Sequence, residues 1–103
     1  MKTASILVNG EHAGQLQELE RGKRYQFRYL PGYTGPSVSL EMPTTQEIYL
    51  FDRFPPFFEG LLPEGVMLEG LLRQTKIDRN DLLAQLITVG ADLVGNVTVE
   101  AAE

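Results

Sequence analysis

The stretch FFEGLLPEGVMLEGLL, Phe57 to Leu72, marks a change of periodicity, and the fold class turns on it. Before it, apolar residues fall at every second position, the period of a half-buried strand; from Phe54 onward they recur at three and four, the period of a helix. Pro55 and Pro56 suit the first turn of a short helix, whose missing N–H groups would be unpaired anyway, and Pro63 can open a second helix in the same way. On a helix from about Glu64 to Thr75, at about 100° per residue, Met67, Leu68, Leu71 and Leu72 fall into one stripe. Val66 falls on the opposite side, among Glu69, Gly70 and Arg73.

Upstream, ASILVNGEHAGQL holds two β-prone runs around Asn9-Gly10, the dipeptide that best tolerates the positive φ angles of a type I′ hairpin turn. KRYQFRYL alternates strictly, with Tyr25, Phe27 and Tyr29 on one face and Arg24, Gln26 and Arg28 on the other. After the loop PGYTGP, SVSLEMP alternates again, Val38 and Leu40 against Ser37 and Ser39, which predicts a short fourth strand stopped by Pro43. Downstream, a third helix is expected from near Asp78 or Asn80, both good N-caps. It would present Leu82, Leu83, Leu86 and Ile87 on one side and end at Gly90 as a C′ glycine. GNVTVE then returns as a last strand.

The order β-β-β-β-α-α-α-β predicts an α+β domain: a small, mostly antiparallel sheet of about five strands with about three short helices packed on one face. At 103 residues the chain is read as one domain, residues 1–103, with no repeat or linker. A chain of this size buries roughly 60 to 70% of the surface its unfolded form exposes, enough for one modest core. With 43% hydrophobic and 22% charged residues it has the balance of a folding chain, and disorder is expected at most at the Ala101-Ala102-Glu103 end.

The net charge of −5 disfavours direct contact with nucleic acid or an anionic membrane. Lys23, Arg24 and Arg28 cluster, but on a strand whose outer face they solvate. There is no cysteine, hence no disulfide or thiolate metal site, and Met1-Lys2-Thr3 begins no apolar leader, so a cytoplasmic setting is expected. The Asn96-Val97-Thr98 sequon is read as chance.

Catalytic chemistry is sparse. The single histidine, His12, sits just past the hairpin turn, where an exposed imidazole is the plain expectation. Glu59, Glu64 and Glu69 resemble an acid–base set only in number, and solvated helix ends explain them better. Gly90 and Gly95 lie between a helix and a strand with no Lys-Ser or Lys-Thr after them, the reverse of a phosphate-binding loop. No serine occupies a nucleophile elbow and Asp52-Arg53-Phe54 is not a kinase catalytic loop. The chain is read as no enzyme, without metal or cofactor.

PSVSLEMP, then FFEGLLPEG at Phe57 to Gly65, then DLLAQLITVGADLVGNVTV at Asp81 to Val99 resemble, in order and spacing, the N-terminal subdomain of HipA-type serine/threonine kinases. The hairpin VNGEHAGQL and the strand YQFRYLPGY match it too, so the resemblance covers nearly the whole chain. Asn96 departs from it, standing where the family usually has alanine. So does the chain's stopping after this subdomain, where HipA-type toxins continue into a nucleotide-binding and catalytic core.

The resemblance implies a role in trans. In tripartite HipBST relatives the HipT-type kinase toxin lacks this subdomain, and a separate HipS-type protein serves as antitoxin beside a HipB-type helix-turn-helix protein. A chain running from methionine to Ala-Ala-Glu looks like such a free-standing product; the alternatives are a subdomain excised from a full-length HipA-type kinase and a scaffold bridging the kinase to the HipB-type repressor. In the antitoxin reading, Leu62, Pro63, Glu64, Gly65, Val66 and Met67 would enter or cover the kinase cleft, Val66 foremost. Phe57, Phe58, Leu61, Leu62, Leu68, Leu71 and Leu72 are expected to serve as core.

Overall fold

Asn9 and Gly10 both adopt left-handed φ angles, 52° and 82°, so the hairpin turn forms where that dipeptide predicts it. It joins β1 (Thr3–Val8) to β2 (Glu11–Glu20). The computed structural model describes residues 2–93 and 95–102; Met1, Val94 and Glu103 lie outside the described residues, and with them part of the predicted C-terminal tail and of the Gly90–Gly95 connection. β3 (Arg24–Tyr29), β4 (Ile48–Phe51) and β5 (Val97–Ala101) complete an antiparallel sheet in the order β4-β3-β2-β1-β5. The last strand thus closes against the first. Ala101 pairs with Ala4 and the Ala102 N–H donates to the Thr3 carbonyl at 3.1 Å, so the ladder holds the chain as far as Ala102.

The alternation in the sequence decides which sheet face is dry. Ala4, Ile6 and Val8 of β1, Leu16 of β2, Tyr25, Phe27 and Tyr29 of β3, and Val97 and Val99 of β5 are all buried. Arg24 and Arg28 are exposed beside Glu20 and Glu47, at 3.8 and 3.5 Å, on the solvated face predicted for them. Over the dry face lie α1 (Pro56–Glu59) and α3 (Leu82–Val89). Phe58 packs on Phe27 with ring centroids 6.1 Å apart, and Phe54 meets Tyr25 edge-on at 5.3 Å. Leu83 and Leu86 are fully buried from α3, the side that its periodicity marks as apolar.

The predicted strand at Ser37–Pro43 does not form. Val38 and Met42 are both buried while Leu40 between them is exposed, because the segment turns back on itself with the Met42 N–H on the Ser39 carbonyl at 3.1 Å. Its backbone finds a side chain instead of a neighbouring strand: the buried Tyr29 hydroxyl accepts the Val38 N–H at 2.9 Å and donates to the Met42 carbonyl. The fourth strand is β4, four residues whose brevity hides their alternation.

Three helix boundaries also move. Pro63 does not open the second helix: Glu64 is its N-cap, and α2 runs Gly65–Thr75. The third helix starts later than expected, on Asp81, whose Oδ1 accepts the Ala84 N–H at 3.2 Å; Asp78 instead accepts from Asn80 in the preceding turn. Gly90 is not a left-handed C′ residue. Its φ is −58°, and the chain continues through a single 3-10 turn, Gly90–Asp92.

The largest correction concerns α2. None of its residues is buried: Leu68, Leu71 and Leu72 are only half-buried and do not join the apolar cluster under the sheet, so the stripe expected as core is a partly open surface. Phe57, Leu61 and Leu62 do pack against that cluster, around a fully buried Phe58.

Candidate functional site

An 11-residue helix with no fully buried residue gains from a further attachment, and α2 is tethered by polar groups from its middle to its C-terminus. Arg79 Nη2 reaches both carboxylate oxygens of Glu69, at 2.9 and 2.8 Å. The backbone carbonyls of Asp78 and Arg79 in turn accept from the amide of Gln85, a buried residue of α3, at 3.2 and 2.9 Å. Lys76, in the left-handed region at φ 59°, caps the helix by donating its N–H to the Leu72 carbonyl. The helix is therefore fixed to the α2–α3 connection, and its N-terminal turn projects.

The entry to that turn is set by glycine. Gly65 has φ +58°, a conformation in which a side chain is strained even though no atom stands near where its Cβ would be. It swings the chain out of the extended Glu64 (φ −133°, ψ 165°) directly into the helix, with Val66 and Met67 next. Val66 is 88% exposed and Met67 75%. For two large apolar side chains in succession this is unusual on a monomer's surface.

The six residues singled out in the sequence fall on two sides of this turn. Leu62, Pro63 and Glu64 line a groove of about 460 Å³ with Leu68 of α2 and Leu82 of α3. Gly65 and Val66 border a separate open hollow with Glu69, Gly70 and Arg73, while Met67 lines neither. The segment forms a ridge between two concavities. Glu59 and Glu64 are exposed on the groove side, and Glu69 is held by Arg79, so the three glutamates make a solvated rim, as expected.

At the N-cap of α3, burial alone would push the Asp81 carboxyl up. The Lys2 ammonium bonded to it and the Ala84 N–H outweigh that and hold it below the usual carboxylate range. Tyr25, nearby under the sheet, is pushed up to about 12 by burial and by the Glu18 carboxylate to which its hydroxyl donates at 3.1 Å. Both groups hold structure. His12 is exposed, 3.7 Å from Glu100.

The sequence of the HipA N-terminal domain family matches residues 4–100. The chain belongs to the HipA N-terminal domain family. A solved structure titled "N-terminal domain of HipA toxin" superimposes with a TM-score of 0.77 at 29% identity, covering 100% of this chain and 94% of that one. An uncharacterized protein of Haemophilus influenzae is 30% identical over 100 residues, 97% of this chain and 92% of that protein. The α+β fold expected from the sequence is the fold of this family, and the chain spans nearly the full length of both relatives. Among the described residues, no helix is long and apolar enough to cross a membrane.

Two exposed apolar features escaped the sequence. Leu40, expected to share a strand face with Val38, is 99% exposed, because Val38 and Met42 turn inward on either side of it. Leu50 of β4 is 69% exposed and borders a shallow hollow with Leu19, Tyr25 and Phe51 at the sheet edge. No alternation long enough to place Leu50 exists in a four-residue strand.

Proposed function

We propose that this chain is a HipS-type antitoxin that binds a HipA-like, HipT-type serine/threonine kinase in trans and inhibits it, with the ridge Leu62–Met67 obstructing the kinase's nucleotide cleft. The observation that carries this is α2: a helix with no buried residue whose first turn presents Val66 and Met67 to solvent. A family relative is by its title the N-terminal domain of a toxin, one end of a longer chain, and a domain of that kind has a natural neighbour in the remainder. Supplied separately, the domain would dock where the covalent version packs, and its apolar ridge would be covered there. A HipB-type DNA-binding protein would complete the assembly.

The polar tether through Glu69, Arg79 and Gln85 supports the obstruction by holding α2 in place before the partner arrives, so that little ordering is left for binding. Burying Val66 contributes roughly 1.5 to 3 kcal/mol, up to about a hundredfold in affinity. Titrating the kinase's phosphoryl transfer with the wild-type chain and with Val66→Asp tests the proposal. The wild type is expected to suppress activity near stoichiometric concentration. The variant should need about tenfold to a hundredfold more, with an unchanged helical spectrum because Val66 touches little of its own chain. Kinase activity that is indifferent to the wild-type chain sinks the proposal; equal inhibition by both removes the ridge from it.

A further inference from the structure

Gln85 is 1% exposed, yet only half of its side-chain amide is used. Its Nε2 donates to the carbonyls of Asp78 and Arg79, while no donor among the described residues meets its Oε1. Every fully enclosed side-chain nitrogen or oxygen among those residues has a partner, so Oε1 keeps an opening to solvent, and Gln85 lines the groove beside Leu62, Pro63 and Glu64. A carbonyl of a buried residue that faces a groove without a donor is an acceptor with capacity to spare.

Two carboxylates stand at the same groove. Glu59 and Glu64 line it, both are exposed, and neither forms an ion pair among the described residues. Glu64 is the N-cap of α2, but its side chain makes no capping bond. The cation on the lining, Arg79, is already held by both oxygens of Glu69, so the groove carries negative charge that nothing within it offsets. Its remaining wall is largely apolar, with Leu62, Pro63, Leu68 and Leu82. Acceptors without donors, uncompensated negative charge and apolar walls together describe a long side chain whose methylenes lie on the leucines and whose cationic end donates several hydrogen bonds.

We propose that this groove is the receptor for one basic side chain, an arginine or lysine, of the kinase that the chain binds. Its cationic end is seated on Glu59, Glu64 and Gln85 Oε1, and its stem lies against Leu62 and Leu68. This rests on the antitoxin reading. Leu62, Pro63 and Glu64 belong both to the groove and to the ridge that would enter the kinase cleft, so a kinase seated on the ridge already stands at the groove's edge. An anionic occupant, a free phosphate group included, is repelled by the two carboxylates. The ridge obstructs, and the groove fixes the orientation in which it does so, because a cation bonded to several acceptors at once admits few arrangements.

The test immobilises a HipT-type kinase that lacks this domain and measures binding of the wild type, Glu59→Gln, Glu64→Gln, the double variant and Glu41→Gln at low and high salt. Each groove variant is expected to bind about threefold to tenfold more weakly at low salt, and the double variant more weakly still. The loss should shrink at high salt, with melting temperatures at the wild-type value because neither carboxylate is bonded within the chain. Glu41→Gln removes the same charge from a residue outside the groove lining and should leave affinity within about twofold of the wild type. Equal losses in all three single variants overturn the groove, since overall charge then accounts for them. In a complex with carbon-13-labelled chain, the side-chain carbonyl resonance of Gln85 should move as it gains a donor; a resonance that stays in place overturns the seat as stated. Wild-type affinity in the double variant overturns the groove and leaves the antitoxin reading standing, whereas a wild-type chain that does not bind the kinase overturns both. A dimer of the free chain in sedimentation that the double variant abolishes would make a second copy the occupant and overturn the kinase's side chain in that role.

Discussion

A methyl group added to Gly90 would lie 1.9 Å from the carbonyl oxygen of Val99 and 2.6 Å from its carbonyl carbon. The glycine that ends α3 is thus a packing residue: it lets the 3-10 turn rest on the backbone of β5. Because the obstruction is main chain, no side-chain rotation relieves it. Gly90→Ala is expected to destabilise the domain by about 2 kcal/mol or more, in the upper range for overpacked cores, read as a lower urea midpoint at constant slope. A wild-type midpoint would show that the turn can lift from β5 without loss.

Tyr29 is the other point on which the fold converges, since one hydroxyl satisfies the backbone at both Val38 and Met42. Tyr29→Phe keeps the ring that meets Phe27 edge-on at 4.8 Å and orphans a buried donor and a buried acceptor. Each orphaned group costs about 1–3 kcal/mol. The variant should melt lower and show faster amide exchange at Val38; native protection of that amide would mean that another acceptor takes the bond.

Why some of this was legible in the sequence and some was not follows from how far each signal reaches along the chain. Asn9-Gly10 and the alternation of Tyr25, Phe27 and Tyr29 act through neighbours, and the hairpin and β3 formed as expected. Val38 and Leu40 alternate just as well. The outcome there was decided by Tyr29, nine residues before Val38, which offered the segment a side-chain partner in place of a strand. The stripe on α2 has the right period for burial but is only half covered, and period alone cannot report how fully a face is covered. The glycine entry to α2 at Gly65 is a local signal, whereas the division of Leu62 to Met67 between two concavities depends on where α3 sits, which is not.

Asp81 predicts an acid-sensitive contribution. Its pKa in the fold is held below its unfolded value, so the stabilisation is fully present above about pH 4 and is lost as pH falls through the folded value. Asp81→Asn retains an acceptor for the Ala84 N–H and removes the charge that meets Lys2. Lys2 is partly exposed, so the loss at pH 7 should be modest, about 0.5–1 kcal/mol. The difference between variant and wild type should shrink toward zero at the lowest pH reached in paired urea melts. A gap that persists undiminished there would assign it to the cap hydrogen bond instead of the charge.

Gly70 separates what the free chain needs from what a partner needs. It sits in the middle of α2, half-buried, with nothing within 4 Å of where a Cβ would be, on the hollow it shares with Val66. Alanine there should stabilise the isolated domain by about 0.5–1 kcal/mol, because glycine loses more backbone freedom in a helix. If the kinase approaches the ridge from this side, the same methyl occupies space that the partner's surface would fill, and inhibition should weaken even as the melting temperature rises. Val66→Asp cannot draw this distinction, since it changes both polarity and volume. Opposite signs of the two effects in Gly70→Ala, by thermal melting and by kinase titration, would place the partner against the Val66 face of α2; a higher melting temperature with unchanged inhibition would turn the contact toward the groove lined by Leu62, Pro63 and Glu64.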